Sequence, residues 1–192
     1  LRELRAIADT LGAGAEALLT GDDAIEPALL DAGMEHAEVL VFATHGLLSG
    51  ELDGLAEPAR VLTPPETASA ADDGLLTASE IADMSLAARW VILSACNTAG
   101  GDGRPDADGL SGLARAFLVA GAETIMVSHW PVRDDAAARL TTETFTTLTA
   151  GKIQRKSRAL QAAMQAMLDD ESDPTLAHPA AWAPFVLVGD AG

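Results

Sequence analysis

The chain has 192 residues with 12 lysines and arginines against 29 aspartates and glutamates, so its formal net charge is −17. This charge argues against direct nucleic-acid binding through a basic surface, because neutralising phosphates requires clustered cations. No apolar run approaches the ~18–20 residues of a membrane span, so no membrane insertion is expected. The single cysteine excludes an internal disulfide and fits a reducing compartment.

The length suits one domain, and we expect residues 1–192 to form it. The sequence begins at Leu1, without a methionine and without the basic and apolar regions of a secretory signal. We therefore expect a piece from the C-terminal part of a longer protein that works in the cytoplasm.

Two helices are predicted at the start of the chain. Apolar residues over 4–11 repeat at helical spacing, and Gly12 is suited to end that helix. A second helix is predicted over 28–33, with Asp22 or Asp23 as its N-cap.

A strand and a long insert follow. The apolar run 39–43 is typical of a strand buried on both faces. Residues 47–76 are rich in glycine and proline and predict a long loop that contains one short strand near 59–63. Thr77 and Glu80 have the spacing of a capping box and predict the start of a short helix.

Strands and helices alternate in the second half of the chain. The predicted strands are 90–95, 124–128 and 185–189, and the predicted helices are 109–120, 134–149 and 154–168. Gly121 is suited to end the first of these helices. The alternation predicts an α/β fold, a three-layer α/β/α sandwich with a mostly parallel sheet.

Parallel sheets of this kind bind ligands beyond the carboxyl ends of their strands. His45, Cys96 and Trp130 each follow the end of a predicted strand, and topology can bring such ends together. A thiolate is a strong nucleophile, and a neighbouring imidazole can keep the thiol deprotonated near neutral pH. Gly46 lets the backbone approach a substrate closely and offer its N–H. Cys96 and His45 together therefore suggest nucleophilic catalysis.

Other interpretations of these residues stay open at this point. A lone cysteine in an apolar strand is often a small core residue, and a histidine is often bonded to backbone. Cys96 with His45 is too small a set for a structural zinc site, so no metal is expected. The chain carries no phosphate-loop or dinucleotide-binding pattern, so no cofactor is expected.

Several short motifs occur together in one order and resemble the CHAT domain, a caspase-like cysteine peptidase domain that often lies behind TPR repeats in bacterial proteins. The motifs are Phe42-Ala43-Thr44-His45-Gly46, Leu93-Ser94-Ala95-Cys96-Asn97-Thr98, Gly109-Leu110-Ser111-Gly112-Leu113-Ala114-Arg115-Ala116-Phe117, Ala120-Gly121-Ala122, Trp130-Pro131-Val132, His178-Pro179, Trp182 and Phe185-Val186-Leu187-Val188-Gly189-Asp190. The resemblance covers residues 1–190.

The resemblance implies a caspase-like sheet with helices on both faces and an endopeptidase that cleaves a protein or peptide substrate. It implies Cys96 as the nucleophile and His45 as the general base and acid. The backbone N–H groups of Gly46 and Cys96 would form the oxyanion hole. The family also implies upstream TPR-type repeats that regulate the domain, and a strand before the first helix whose place would precede residue 1.

Further residues are candidates for lining the substrate cleft, because they follow the ends of predicted strands. They are Asn97, Asp106, Asp108, His129 and Trp130. The sequence does not assign substrate specificity, although Arg60, Arg104 and Arg133 fall in segments that could border the cleft. The alternative function is a catalytically silent, caspase-like interaction or scaffold module.

Overall fold

The computed structural model describes residues 2–69, 72–94, 112–151 and 153–192. The helices are α1 (Arg2–Leu11), α2 (Glu26–Asp31), α3 (Ala78–Ala82), α4 (Gly112–Val119), α5 (Asp134–Thr149), α6 (Lys156–Leu168) and α7 (Pro179–Trp182). The strands are β1 (Val39–Phe42), β2 (Gly46–Leu47), β3 (Ala59–Val61), β4 (Leu75–Thr77), β5 (Trp90–Leu93), β6 (Thr124–Ser128) and β7 (Phe185–Gly189).

Four strands form the main sheet, in the order β1-β5-β6-β7. The pairs β1–β5 and β5–β6 are parallel, whereas β7 runs antiparallel to β6 along five residue pairs. The prediction of a mostly parallel sheet is confirmed. Parallel β1, β5 and β6 end at the same edge, so the segments that follow them all leave the sheet on one side.

Two apolar cores cover the two faces of the main sheet. Side chains alternate along β5, so Val91 and Leu93 join the core with α3 and α4, while Trp90 and Ile92 join the core with α1, α5 and α6. The rings of Trp90 and Phe145 lie with their centroids 5.4 Å apart in the second core. The predicted three-layer α/β/α sandwich is thereby confirmed.

The small sheet contains β2, β3 and β4, in that order, and is antiparallel. It lies within the insert that separates β1 from α3. Only the short strand at 59–63 was predicted there. The strands β2 and β4 have two and three residues, which is too short for the alternation of apolar and polar residues to be recognised.

The capping box at the start of α3 is confirmed. The Thr77 backbone N–H donates to Glu80 Oε2 over 2.8 Å, and the Thr77 side chain accepts from the Glu80 backbone N–H. The helices predicted at the start of the chain and over 134–149 and 154–168 are also present, and Gly12 and Gly121 follow helix ends with positive φ.

Two local predictions are wrong. The residue before α2 is Ile25, without a side-chain cap, because Asp22 and Asp23 belong to a separate one-turn helix. Pro27 lies in the first turn of α2 and has no N–H to be capped, which reduces the need for an N-cap side chain. The strand β1 is only partly buried, since three of its four residues are of intermediate burial beside an apolar groove.

No helix in the described part of the chain is both long and apolar enough to cross a membrane.

Candidate functional site

The ends of β1 and β5 lie side by side. Their ladder extends one bond beyond β5, where the Ser94 N–H donates to the Phe42 carbonyl over 3.0 Å. His45 follows Phe42 by three residues, and Cys96 follows Ser94 by two. The segments that carry the predicted histidine and cysteine therefore start from neighbouring points on one edge of the main sheet.

Strand β3 holds the backbone at His45. The Val61 N–H donates to the His45 carbonyl over 2.9 Å, and Arg60 Nη1 donates to the Thr44 carbonyl over 2.8 Å. Two successive carbonyls are thus fixed by two successive residues of β3, while the His45 side chain is exposed. This arrangement presents an accessible imidazole on a backbone that is held in place.

The ladder between β2 and β3 orients the Gly46 N–H. Gly46 lies opposite Arg60, and the adjacent pair, His45 with Val61, is the hydrogen-bonded one. Bonded and non-bonded pairs alternate in an antiparallel ladder, so the Gly46 N–H points away from β3. Because β2 is an end strand of the small sheet, this N–H is directed outward, where it can donate to a bound group.

Arg60 is fully buried, which is unusual for a side chain of permanent charge. Desolvation lowers the pKa of Arg60 to about 9, still well above neutral pH. Its Nη1 atom donates to the Thr44 carbonyl, whereas its Nε and Nη2 atoms have no partner among the described residues. The guanidinium therefore lies beneath the connection between β1 and His45, with part of its hydrogen-bonding capacity unused.

Glu3 on α1 contacts the end of β5. The Ser94 hydroxyl lies 2.7 Å and 2.9 Å from the two carboxylate oxygens of Glu3 and donates to them. Burial raises the pKa of Glu3, and the Ser94 hydrogen bond opposes that shift. The contact ties the first helix to the point from which the chain runs on toward Cys96.

His129 and Trp130 follow β6 at the same edge of the main sheet, as predicted. Both are exposed, and the His129 N–H donates to the Pro184 carbonyl over 3.0 Å. Strand β5 lies between β1 and β6, so two strand spacings of about 4.8 Å each separate them from the end of β1. Their part in a substrate cleft stays a prediction.

Other predicted site residues fall outside the described part of the chain. They are Cys96, Asn97, Asp106 and Asp108, and Arg104 falls outside it as well. Arg133 is exposed at the start of α5, where it pairs with Asp135 and donates to Thr175. Among the residues described, no group of three or more histidine, cysteine, aspartate or glutamate side chains is arranged to hold a metal ion.

The contacts of Arg60 and Glu3 were not predicted from the sequence. One signal for Arg60 is visible there, because this arginine interrupts the apolar run of a short strand. A charge at such a place indicates either an exposed strand or a buried ionic contact. Glu3 gives no such signal, since acidic residues are common in the first turn of a helix.

Comparison with known proteins agrees with the fold. The crystal structure of the Arg-specific cysteine proteinase gingipain R (RGPB) matches with a TM-score of 0.60 and 14% sequence identity. The match covers 99% of this chain and 41% of that chain, and at this identity it shows the fold alone. The predicted caspase-like architecture is confirmed.

Two curated relatives are tetratricopeptide repeat proteins. Tetratricopeptide repeat protein 28 of Mus musculus is 37% identical over 115 residues, and that of Homo sapiens is 35% identical over the same length. Each match covers 60% of this chain and 4% of the relative. The bacterial origin that the resemblance suggests finds no support, since both relatives are mammalian. The CHAT domain family matches residues 1–190, and the chain therefore belongs to the CHAT domain family.

Proposed function

We propose that this chain is a cysteine endopeptidase domain in which Cys96 is the nucleophile and His45 is the general base and acid. The observation that carries the proposal is the common edge of β1 and β5, joined by the bond between Ser94 and Phe42. It supports a short distance between the segment of His45 and the segment of Cys96. Family membership and the cysteine proteinase fold of the structural neighbour agree with this assignment.

The first half of the reaction forms an acyl-enzyme. His45 takes the proton of the Cys96 thiol, and the thiolate attacks the carbonyl carbon of the scissile peptide bond. The resulting oxyanion accepts hydrogen bonds from the N–H groups of Gly46 and Cys96, a type of contact worth ~3–4 kcal/mol for each donor. The C–N bond then breaks as His45 donates the proton to the leaving amine, which leaves a thioester on Cys96.

The second half releases the acid. His45 takes a proton from a water molecule, and the hydroxide attacks the thioester carbonyl. The C–S bond breaks, and the returned proton restores the thiol of Cys96. The bonds from β3 to the carbonyls of Thr44 and His45 fix the backbone of the base through both halves. The directed N–H of Gly46 supports its role as an oxyanion donor.

The proposed setting is a larger protein. We place the chain as one domain that acts on a protein or peptide substrate in the cytoplasm, regulated by TPR-type repeats of its parent protein. The names of the two mammalian relatives support the association with such repeats. Asn97, Asp106, Asp108, His129 and Trp130 are the proposed lining of the substrate cleft.

The pH dependence of Cys96 alkylation tests the proposed dyad. Cys96 is the only thiol in the chain, so iodoacetamide reports on it alone and no substrate has to be known. In the wild type we expect rapid alkylation at pH values below the ordinary thiol pKa of ~8.5. In His45→Ala the profile should move up to the ordinary thiol range, because the imidazole no longer stabilises the thiolate.

The matched control is His36→Ala. His36 is exposed and precedes β1 at the opposite end of the strand, so its removal should leave the alkylation profile unchanged. Cys96→Ala should abolish cleavage of a peptide library while the protein melts at the wild-type temperature. An alkylation profile that is indifferent to His45 would refute the dyad and favour the silent interaction module.

A further inference from the structure

Unpartnered buried polar atoms are concentrated at one place in the described part of the chain. Four buried side-chain nitrogen or oxygen atoms there have no hydrogen-bond partner, and three of them belong to two neighbouring residues. These three are the Thr44 hydroxyl and the Nε and Nη2 atoms of Arg60. The two residues touch, since Arg60 Nη1 donates to the Thr44 carbonyl. Because buried polar groups are nearly always paired, this concentration indicates a ligand.

The free atoms of Arg60 form a fork. In a guanidinium group the N–H of Nε and one N–H of Nη2 point in parallel along the same edge. That edge is the one that binds a carboxylate through two hydrogen bonds. Nη1 donates to the Thr44 carbonyl, and it is not one of the two atoms on that edge. Both atoms that would bind a carboxylate therefore lack a partner among the described residues. The Thr44 hydroxyl adds a third possible donor beside them.

The charge of Arg60 requires an anion. A buried charge without a partner is strongly unfavourable, whereas a paired and hydrogen-bonded charge can be tolerated. Desolvation is the one cause of the pKa shift of Arg60, and no carboxylate among the described residues forms an ion pair with it. Arg60 therefore provides the cation of an ion pair, and no described residue provides the anion.

We propose that Arg60 and Thr44 form a subsite that binds the side-chain carboxylate of an acidic residue in a peptide substrate. The inference rests on the proposed peptidase function and names the substrate class of that site. The position of Arg60 supports a role in substrate binding. Arg60 lies directly opposite Gly46 in the ladder and contacts Thr44, the residue before His45. A carboxylate on the fork would hold a peptide next to the proposed oxyanion donor.

The overall charge of −17 opposes acidic ligands only at long range. Such repulsion is screened within about 8 Å at physiological ionic strength, while a contact with a buried cation is screened much less. Both free nitrogens are closed to solvent, so a carboxylate reaches them only when the contacts around them open. We therefore expect slow binding that becomes stronger, not weaker, when moderate salt is added.

Thermal melting with small blocked amino acids tests the subsite. The probes are N-acetyl-glutamate amide and N-acetyl-aspartate amide, with N-acetyl-glutamine amide as the neutral isostere, each equilibrated with the 192-residue protein before heating. We expect a saturable rise of the melting temperature with the acidic probes and none with the glutamine probe. In Arg60→Met the response should disappear. In Arg60→Lys binding should be about 10- to 100-fold weaker, because lysine keeps the charge but lacks the fork.

Several results would overturn the subsite. One is an equal response to the glutamate and glutamine probes in the wild type, which needs no variant to fold. A second is an undiminished response in Arg60→Met. A third is a response only to N-acetyl-glutamine with a free carboxyl group, which would assign the fork to a chain terminus instead of an acidic side chain.

The test separates this inference from the proposed function. The melting response does not use the thiol, so Cys96→Ala should show the same acidic preference as the wild type. An acidic preference together with an alkylation profile indifferent to His45 would support the subsite and refute the peptidase. The reverse combination would leave the dyad in place and refute the carboxylate subsite.

Discussion

The main sheet and the small sheet are stabilised in different ways. All of β5 and β6 is buried, and their side chains pack into apolar cores on both faces. The small sheet contributes Leu76 to the core with α3 and α4, and it is also held by single polar contacts, such as those of Glu26 with the backbone of 73–75 and of Arg60 with Thr44. Apolar burial is spread over many contacts, whereas each polar contact acts at one point.

The two sheets therefore contribute to the candidate site in different ways. The main sheet fixes where the segments after β1 and β5 begin, and its packing leaves little freedom there. The small sheet supplies the donors that hold the backbone carbonyls of Thr44 and His45, and each of these polar contacts can be lost without removing a side chain from a core. We therefore expect substitutions in the main sheet to unfold the whole chain and substitutions in the small sheet to loosen it locally.

The largest effect is expected from Phe117→Ala. Phe117 is fully buried in α4, and its ring centroid lies 5.4 Å from that of Phe42 on β1. Removal of the ring leaves a cavity against the main sheet and should lower the free energy of unfolding by about 3–5 kcal/mol in urea denaturation. The control is Val119→Ala on the same helix, where 68% exposure of the side chain predicts a change within about 0.5 kcal/mol.

A smaller and local effect is expected from Glu26→Ala. Glu26 Oε1 accepts hydrogen bonds from the N–H groups of Asp73, Gly74 and Leu75 over 3.1–3.3 Å. Without this acceptor we expect a local cost of about 1–3 kcal/mol. Hydrogen exchange should accelerate at 73–75 and stay unchanged in β6. In Glu26→Gln an acceptor oxygen remains and the acceleration should be smaller. Equal acceleration in β6 would mean that the two sheets open together.

The smallest effect is expected from Glu3→Gln and concerns pH. Burial raises the pKa of Glu3 above its ordinary value of 4.5, so the folded state holds this proton more tightly than the unfolded chain does. The contribution to stability is therefore greatest below pH 4.5 and declines as the pH rises through the raised pKa of the folded state. Glu3→Gln keeps an acceptor for the Ser94 hydroxyl and removes this decline.

Urea denaturation over a series of pH values checks the sign. The difference in unfolding free energy between Glu3→Gln and the wild type should shift in favour of the variant as the pH rises above 4.5. Glu16→Gln, at an exposed carboxylate near the start of the chain, gives the baseline. A difference that stays constant across the series would mean that Glu3 titrates alike in the folded and unfolded chains.

The main sheet could be predicted well because its strands are short, mainly apolar runs. The helices α5 and α6 and the capping box of Thr77 were equally visible, since each depends on residues close together in the chain. The caspase-like fold needed more than periodicity and came from several motifs in one order. Such features are local in sequence, or are repeated in a family, and can be recognised from the amino-acid sequence alone.

The other two strands of the small sheet and the long-range polar contacts could not be predicted. Arg60 meets Thr44 across 16 positions of the chain, and Ser94 meets Glu3 across 91. No local pattern encodes such pairs, because they arise only after segments that are distant in the sequence have packed together. The sequence therefore predicted that His45 follows the end of a strand. It did not predict that Arg60 and Val61 of β3 hold the backbone beside it.

The hairpin between β2 and β3 has a consequence for protein engineering. Its tip is exposed from Gly50 to Gly54, both with positive φ, and the Gly50 N–H closes the loop onto the Leu55 carbonyl over 2.9 Å. When the two ends of a surface loop lie this close together, a domain can be inserted between them with little strain. Because β2 begins one residue after His45, a ligand-responsive domain inserted at this tip would be mechanically linked to the imidazole and could turn the site into a sensor.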